Sequence, residues 1–187
     1  MKLTGLTPEI YNHLYKVTAS STPLKTNCGE LCGSTCCRPG KHEDLGMYLY
    51  PGEEAMFTRR EDWLAWEEHN PADYNFPASW KGPVYFVRCN GVCPREMRPL
   101  ACRFFPLAPH LHRDGKLYLI YETLELPYQC PLITASNPLD PGFISIMQQT
   151  WQIMLTDQRI RDLVEEDSHQ REEDGLPVVP VGQSFVF

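Results

Sequence analysis

The sequence predicts an α+β fold. Three observations carry this expectation. An amphipathic stretch opens the chain, short strand candidates sit between strong turn signals in its middle, and an apolar stripe at helical spacing runs near its end. The expected architecture is a single domain over residues 1–187, in which a small antiparallel sheet packs with an N-terminal helix and a long C-terminal helix. Cysteine-rich, metal-binding loops project from one end.

Each element has its own signal. Thr7-Pro8-Glu9 starts a helix, with Thr7 as cap and Pro8 in the first turn. Ile10, Leu14 and Val17, with Tyr11 and Tyr15 beside them, extend it over residues 8–19. Residues 24–44 form a first cysteine loop, and residues 45–50 a short strand stopped by Pro51-Gly52. Residues 53–69 have mixed helical character, with Trp63 and Trp66 on one face. A loop rich in Pro, Asn and Asp follows over 70–82. Residues 84–87 read as a strand that delivers Cys89, and Asn90-Gly91 as a turn before Cys93. Residues 99–105 read as one or two helical turns carrying Cys102. Residues 111–112 and 116–121 flank Asp114-Gly115, a hairpin signal. Asp140-Pro141 then caps the longest helix, expected over 140–168 with a stripe from Phe143 to Val164 that packs in the core. The tail from Gly175 reads as an extended or loose arm ending in Phe185-Val186-Phe187.

Composition narrows the function. The 187 residues include 17 Lys plus Arg and 24 Asp plus Glu, a net charge of −7. That balance argues against a generic nucleic-acid binder, which needs a basic face, so no nucleic-acid partner is expected. The longest apolar runs fall far short of the roughly 20 residues that span a bilayer, so no membrane association is expected. No apolar signal-peptide core follows Lys2, and the expected compartment is the cytosol.

The outlier is eight cysteines. Reduced thiols are the cytosolic norm, and four disulfides would need an export route that the sequence does not display. Cys28, Cys32, Cys36 and Cys37 lie among Asn27, Gly29, Gly33, Ser34, Pro39 and Gly40, which is loop chemistry. Cys89, Cys93, Cys102 and Cys130 complete the set over residues 28–131. Thiolates on tight glycine-containing loops are how proteins grip soft metals.

The first loop reads C-x3-C-x3-C-C and the second C-x3-C-P-x7-C-x-F-F-P-L, with Arg98-Pro99 inside it. On these residues the chain resembles the YkgJ-type cysteine cluster proteins, named for a CxxCxxCC signature and described as a zinc- or iron-chelating domain. The more specific half is Arg98-Pro99-Leu100-Ala101-Cys102-Arg103-Phe104-Phe105-Pro106, and Cys130-Pro131 also fits. The first loop departs from the family name in having three residues, not two, between cysteines. The resemblance implies metal binding, often with an iron–sulfur cluster. Some members are flagellin lysine N-methylases, which implies an alternative role as a metal-dependent protein-lysine N-methyltransferase. No G-x-G-x-x-G follows a strand candidate here, so a Rossmann-type cofactor site is not indicated.

The residues support a parallel reading. Four thiolates satisfy a tetrahedral zinc ion or a cubane cluster, and eight suffice for two sites, or for one site with a reactive remainder. The side chains of the neighbours Cys36 and Cys37 are expected to diverge. Arg38, Arg88, Arg95, Arg98 and Arg103 flank the thiols, and Arg98 and Arg103 are the candidates to donate hydrogen bonds into the sulfurs of the bound group. The favoured cofactor is a 4Fe-4S cluster, able to move an electron. Zinc is the alternative and would staple an interaction module without catalysis. The partner is a redox or protein partner of unknown identity. His42 is a weaker ligand candidate. His110 and His112 read as exposed strand residues, and Glu53, Glu54, Glu61, Asp62, Glu67 and Glu68 as a solvated helix face. Trp63, Trp66 and Trp80 are expected in the core.

Overall fold

The structure is a computed structural model, and residues 5–37, 45–90, 93–135 and 137–184 are described. Arg38, His42, Gly91 and the terminal Phe185-Val186-Phe187 lie outside the described residues. The fold is mixed helix and sheet, as the patterning predicts.

Helix α1 spans Pro8–Thr18. Extended Thr7 caps it through Oγ1, which accepts from the Ile10 N–H, and Tyr11, Leu14, Tyr15 and Thr18 face inward. Short helix α2 (Gly29–Cys32) and a 3-10 turn (Thr35–Cys37) follow. Strands β1 (Met47–Tyr48), β2 (Leu64–His69) and β3 (Val84–Cys89) form an antiparallel sheet in the order β1-β3-β2. Its register runs from Leu64 opposite Cys89 to His69 opposite Val84, with Met47 opposite Val87 on the other edge.

The helical reading of residues 53–69 is corrected here. Glu53–Met56 is a 3-10 turn and Leu64–His69 is β2. Six ladder pairs with β3, and Trp66 packed edge-on to Tyr85 at 6.1 Å, outweigh the helix propensity of Ala65, Glu67 and Glu68. The acidic stretch is therefore not one solvated helix face. Glu53 is fully buried, while Glu67 pairs with Arg88 and with His69.

Helix α3 (Leu100–Phe104) leads into the hairpin β4 (Leu107–Leu111) and β5 (Leu117–Tyr121), which turns at Asp114-Gly115. Gly115 has φ +79°, the left-handed conformation that this turn requires and glycine adopts freely. The arm after Gly175 packs along β5: the Val181 N–H donates to the Leu119 carbonyl at 2.7 Å, and Pro180 bridges Ile120.

Helix α4 (Pro131–Thr134) precedes α5 (Pro141–Met154) and α6 (Gln158–Glu173). Asp140 caps α5 as expected, through Oδ1 contacts to the Gly142 and Phe143 N–H groups. The stripe expected on one helix over 140–168 is divided between α5 and α6. Asp157 breaks it, because its carboxylate caps α6 at the Arg159 N–H and also takes the Leu6 N–H, each at 3.0 Å.

The core lies where α1, α3, β4, β5 and α5 meet. Trp151 sits between Phe104 (5.0 Å) and Tyr50 (5.9 Å), among fully buried Leu14, Leu100, Leu117 and Met147. Each such aliphatic side chain contributes about 1.5–3 kcal/mol of burial. Trp63 and Trp80 are buried too. Among the described residues no helix is long and apolar enough to cross a membrane.

Candidate metal centre

The first cysteine segment folds back on itself. Asn27 Oδ1 accepts from the Gly29 N–H at 3.1 Å, and Cys28 stands at the start of α2. Gly33 and Ser34 are both left-handed, at φ 64° and 59°, and the Ser34 N–H closes onto the Gly29 carbonyl at 2.8 Å. That reversal turns the chain so that Cys36 and Cys37 follow in a second tight turn. Their Sγ atoms lie 3.7 Å apart, so they do not diverge. Residues in a 3-10 turn are separated by about 120° around its axis, not by the 180° of a strand.

The other four thiols come from separate elements. Cys89 ends β3, and Cys93 follows, with its Sγ 3.5 Å from the Pro94 carbonyl. Cys102 rides on α3, with its Sγ 2.9 Å from Met47 Sδ on β1. Cys130 starts α4, where its carbonyl accepts from the Ile133 and Thr134 N–H groups at 3.0 Å.

Electrostatic coupling joins all eight. Cys28 feels Cys32, Cys37 and Cys130, while Cys36 feels Cys32, Cys37 and Cys102. Cys102 feels Cys37, Cys89 and Cys93. Arg98 acts on Cys28, Cys37, Cys93 and Cys102. Burial, then neighbouring Cys32, pushes the Cys28 thiol up. Burial also raises Cys93 against its hydrogen bond with Arg98, and raises Cys130 against the Leu132 and Ile133 N–H groups. Burial, followed by Cys37 and Cys93, raises Cys102. Between Cys36 and Cys37 the shared hydrogen bond dominates. It holds the proton on Cys36 and, with Arg98, lowers Cys37 below the usual thiol range. All eight cysteines are free of disulfides. Among the described residues, no three Cys, His, Asp or Glu side chains stand close enough to hold one metal ion.

The arginines divide by role. Arg98 hydrogen-bonds Cys93, and its Nε is buried without a partner. Arg103 is buried and directed elsewhere. Its Nε donates to the Arg98 carbonyl, Nη1 to the Tyr15 carbonyl and Thr18 Oγ1, and Nη2 to the Glu96 carbonyl, over 2.6–3.0 Å. None of those partners is a thiol. It fastens α1 to the segment before α3, with its guanidinium 4.3 Å over the Tyr15 ring. Arg95 is exposed and reaches the Ala19 and Ser21 carbonyls.

The histidines do not join the thiols. His110 is corrected from exposed to buried: it is 1% exposed, and its Nε2 lies 3.7 Å from Glu172 Oε1 on α6. His112 is half exposed and pairs with Asp114.

The sequence reading missed three features. Met47 meets Cys102 from β1. Buried Glu53 accepts from Tyr15 Oη (2.8 Å), the Tyr50 N–H (3.0 Å) and the Leu100 N–H (2.8 Å), and so anchors the helix that carries Cys102. A cavity of about 230 Å³ opens beside Cys28, Cys36, Cys37 and Cys102. Only the density of cysteines in the sequence pointed to this region. Comparison with protein-family models, with curated proteins and with solved structures finds no match for this chain.

Proposed function

We propose that this chain is a thiolate metal-binding protein that holds an iron–sulfur cluster. One observation carries the reading: eight free thiols come from four separate stretches of chain, and Cys28, Cys36, Cys37 and Cys102 line one cavity together with Arg98. Buried structural cysteines are ordinarily scattered singly through a core. Here none is fully buried.

The donor chemistry fits the group, and binding would have to draw the thiols closer together than they stand among the described residues. Soft thiolates select zinc and iron–sulfur clusters. Burial disfavours the thiolate at Cys28, Cys93, Cys102 and Cys130, and a bound cation would reverse that preference by drawing off the protons. The ligands come from Cys28, Cys32, Cys36, Cys37, Cys89, Cys93, Cys102 and Cys130, with Arg98 donating toward Cys93. The resemblance to the YkgJ-type cysteine clusters adds weight from the same residues. A bound cluster would supply one-electron redox chemistry. The chain's own part is to collect the thiols, neutralise excess charge through Arg98, and brace α3 against α1 through Arg103 and Glu53.

The test is protein purified without oxygen, with its visible absorption recorded and its iron, acid-labile sulfide and zinc counted per chain. Iron with sulfide in a coloured protein is the expected result. Stoichiometric zinc in a colourless protein would replace redox chemistry with a structural staple, because d¹⁰ zinc has none. Absence of both metals would overturn the reading.

A further inference from the structure

We propose that Tyr48 is a proton-coupled one-electron donor: an oxygen-centred radical takes its electron while His69 takes its proton. Tyr48, Phe86, Glu67 and His69 share one face of the β1-β3-β2 sheet. Phe86 stands opposite both Tyr48 and Glu67, and His69 is two residues beyond Glu67. Tyr48 Oη lies 2.9 Å from His69 Nδ1, and His69 Nε2 lies 3.2 Å from Glu67 Oε2.

One tautomer satisfies both bonds. A carboxylate only accepts, so the imidazole proton sits on Nε2. Nδ1 then presents a lone pair, to which the Tyr48 hydroxyl donates. Aromatic rings hold this arrangement. His69 stacks on Tyr74 at 4.4 Å and 9°, and Tyr48 packs against Phe76 at 4.8 Å and Phe86 at 5.0 Å. Arg88 pairs with the other oxygen of Glu67. Phenol, base and orienting carboxylate thus follow one another on half-buried residues.

Such a chain suits oxidation of the phenol. Losing an electron makes a phenol strongly acidic, so the step is fast only where a base within hydrogen-bond reach takes the proton at the same time. The electron passes to the radical, which becomes its anion and takes a proton from water. The Tyr48 O–H bond breaks and an N–H bond forms at His69 Nδ1. A neutral phenoxyl radical is left beside an imidazolium whose Nε2–H faces Glu67. A low-molecular-weight thiol or ascorbate then returns one electron, and the proton goes back from Nδ1 to Oη.

The position of Tyr48 gives the step a use. Met47, its neighbour on β1, points to the opposite face of the sheet, where its Sδ lies 2.9 Å from Cys102 Sγ. A radical that meets the Tyr48 face is quenched at the phenol, with the oxidisable thiol behind the sheet. The reaction needs no bound metal, so it stands apart from the metal reading.

Flash photolysis with a ruthenium tris-bipyridine sensitiser and a cobalt(III) acceptor supplies a one-electron oxidant to the full chain, and transient absorbance reads the phenoxyl radical. The wild type should form it in a fast phase that slows in D2O, since the proton moves with the electron. Tyr48→Phe keeps the ring and should lose the fast phase, whereas Tyr74→Phe should keep it. His69→Gln removes the base and should slow the phase about tenfold or more. Under a thermally generated peroxyl radical, Tyr48→Phe should lose free thiols faster than the wild type. A fast phase that survives in Tyr48→Phe, an unaltered rate in His69→Gln, no isotope effect in the wild type, or equal thiol loss would overturn the proposal.

Discussion

Replacing Glu53 should be among the most damaging single changes in the molecule, although it removes no apolar core residue. Its side chain is fully buried and receives three donors: Tyr15 Oη on α1, the Tyr50 N–H and the Leu100 N–H at the start of α3. Glu53→Ala strands all three. At about 1–3 kcal/mol per stranded donor, the loss is roughly 3–9 kcal/mol. Relief of the buried carboxylate's own desolvation offsets several kcal/mol of that. A net cost of about 1–5 kcal/mol results, a large share of the roughly 5–15 kcal/mol of a typical domain. Glu53→Gln keeps Oε1 for Tyr15 and Leu100 but turns an amide N–H toward the Tyr50 N–H, so about 2 kcal/mol is expected. Urea unfolding reads both values, as midpoint shifts at constant m. Burial pushes the Glu53 carboxyl up against its hydrogen bonds from Leu100, Tyr50 and Tyr15. The folded protein therefore keeps that proton to higher pH than the unfolded chain. The associated stability is complete below the ordinary carboxylate pKa and is lost as pH rises through the folded value. Glu53→Gln should lack this dependence. A cost under about 1 kcal/mol for Glu53→Ala would refute the stranded-donor reasoning.

Three further outcomes follow from contacts described above. Asp157→Ala removes the α6 cap, the Leu6 contact and the Arg159 pair, and should cost about 2 kcal/mol, seen as a melting temperature lower by ~5 °C. Burial raises the Asp157 carboxyl, but the Arg159 hydrogen bond and the Leu6 N–H outweigh it and hold it below the usual range. Its stabilisation is thus present at neutral pH and lost as pH falls through the folded pKa; an Asp157→Asn melting curve that keeps the full acid dependence would contradict this. Arg103→Lys replaces a fork that meets four acceptors with a single ammonium, and should cost about 2–4 kcal/mol in urea; a neutral result would mean that α1 is held without it. On the proposed metal reading, chelation should raise amide exchange over residues 28–37 while β4, β5 and α5 stay protected; loss of protection throughout would mean that the apolar core depends on the metal.

Local signals explain which elements the sequence revealed. Thr7-Pro8, Asp140-Pro141 and Asp114-Gly115 act through their own backbone and hydrogen bonds, so α1, α5 and the β4–β5 hairpin were legible. Strand β2 was not, because Leu64-Ala65-Trp66-Glu67-Glu68-His69 alternates poorly and its state is decided by pairing with β3, some twenty residues onward. The break before α6 did carry a signal, Thr156-Asp157, but the apolar stripe runs across it. At the candidate site, cysteine density marked the region. The contact of Met47 with Cys102 and the anchoring of α3 by Glu53 were hidden, since each acts through tertiary contact with chain far away in sequence. Arg103 illustrates the limit well. Its position among cysteines suggested a sulfur partner, yet its acceptors are carbonyls and a hydroxyl on α1 and the turn before α3.

The arm after Gly175 also bears on how the protein behaves in concentrated solution. Strand β5 pairs with β4 on one side only, and its other side carries backbone groups that the arm engages at Leu119 and Ile120. A chain cut back to the end of α6 would keep its helices and both sheets. It would also present an open strand edge, Leu117-Tyr118-Leu119-Ile120-Tyr121, whose aliphatic and aromatic side chains suit it to recruit a second copy by strand addition. A few residues with no regular structure of their own thus guard the molecule against self-association.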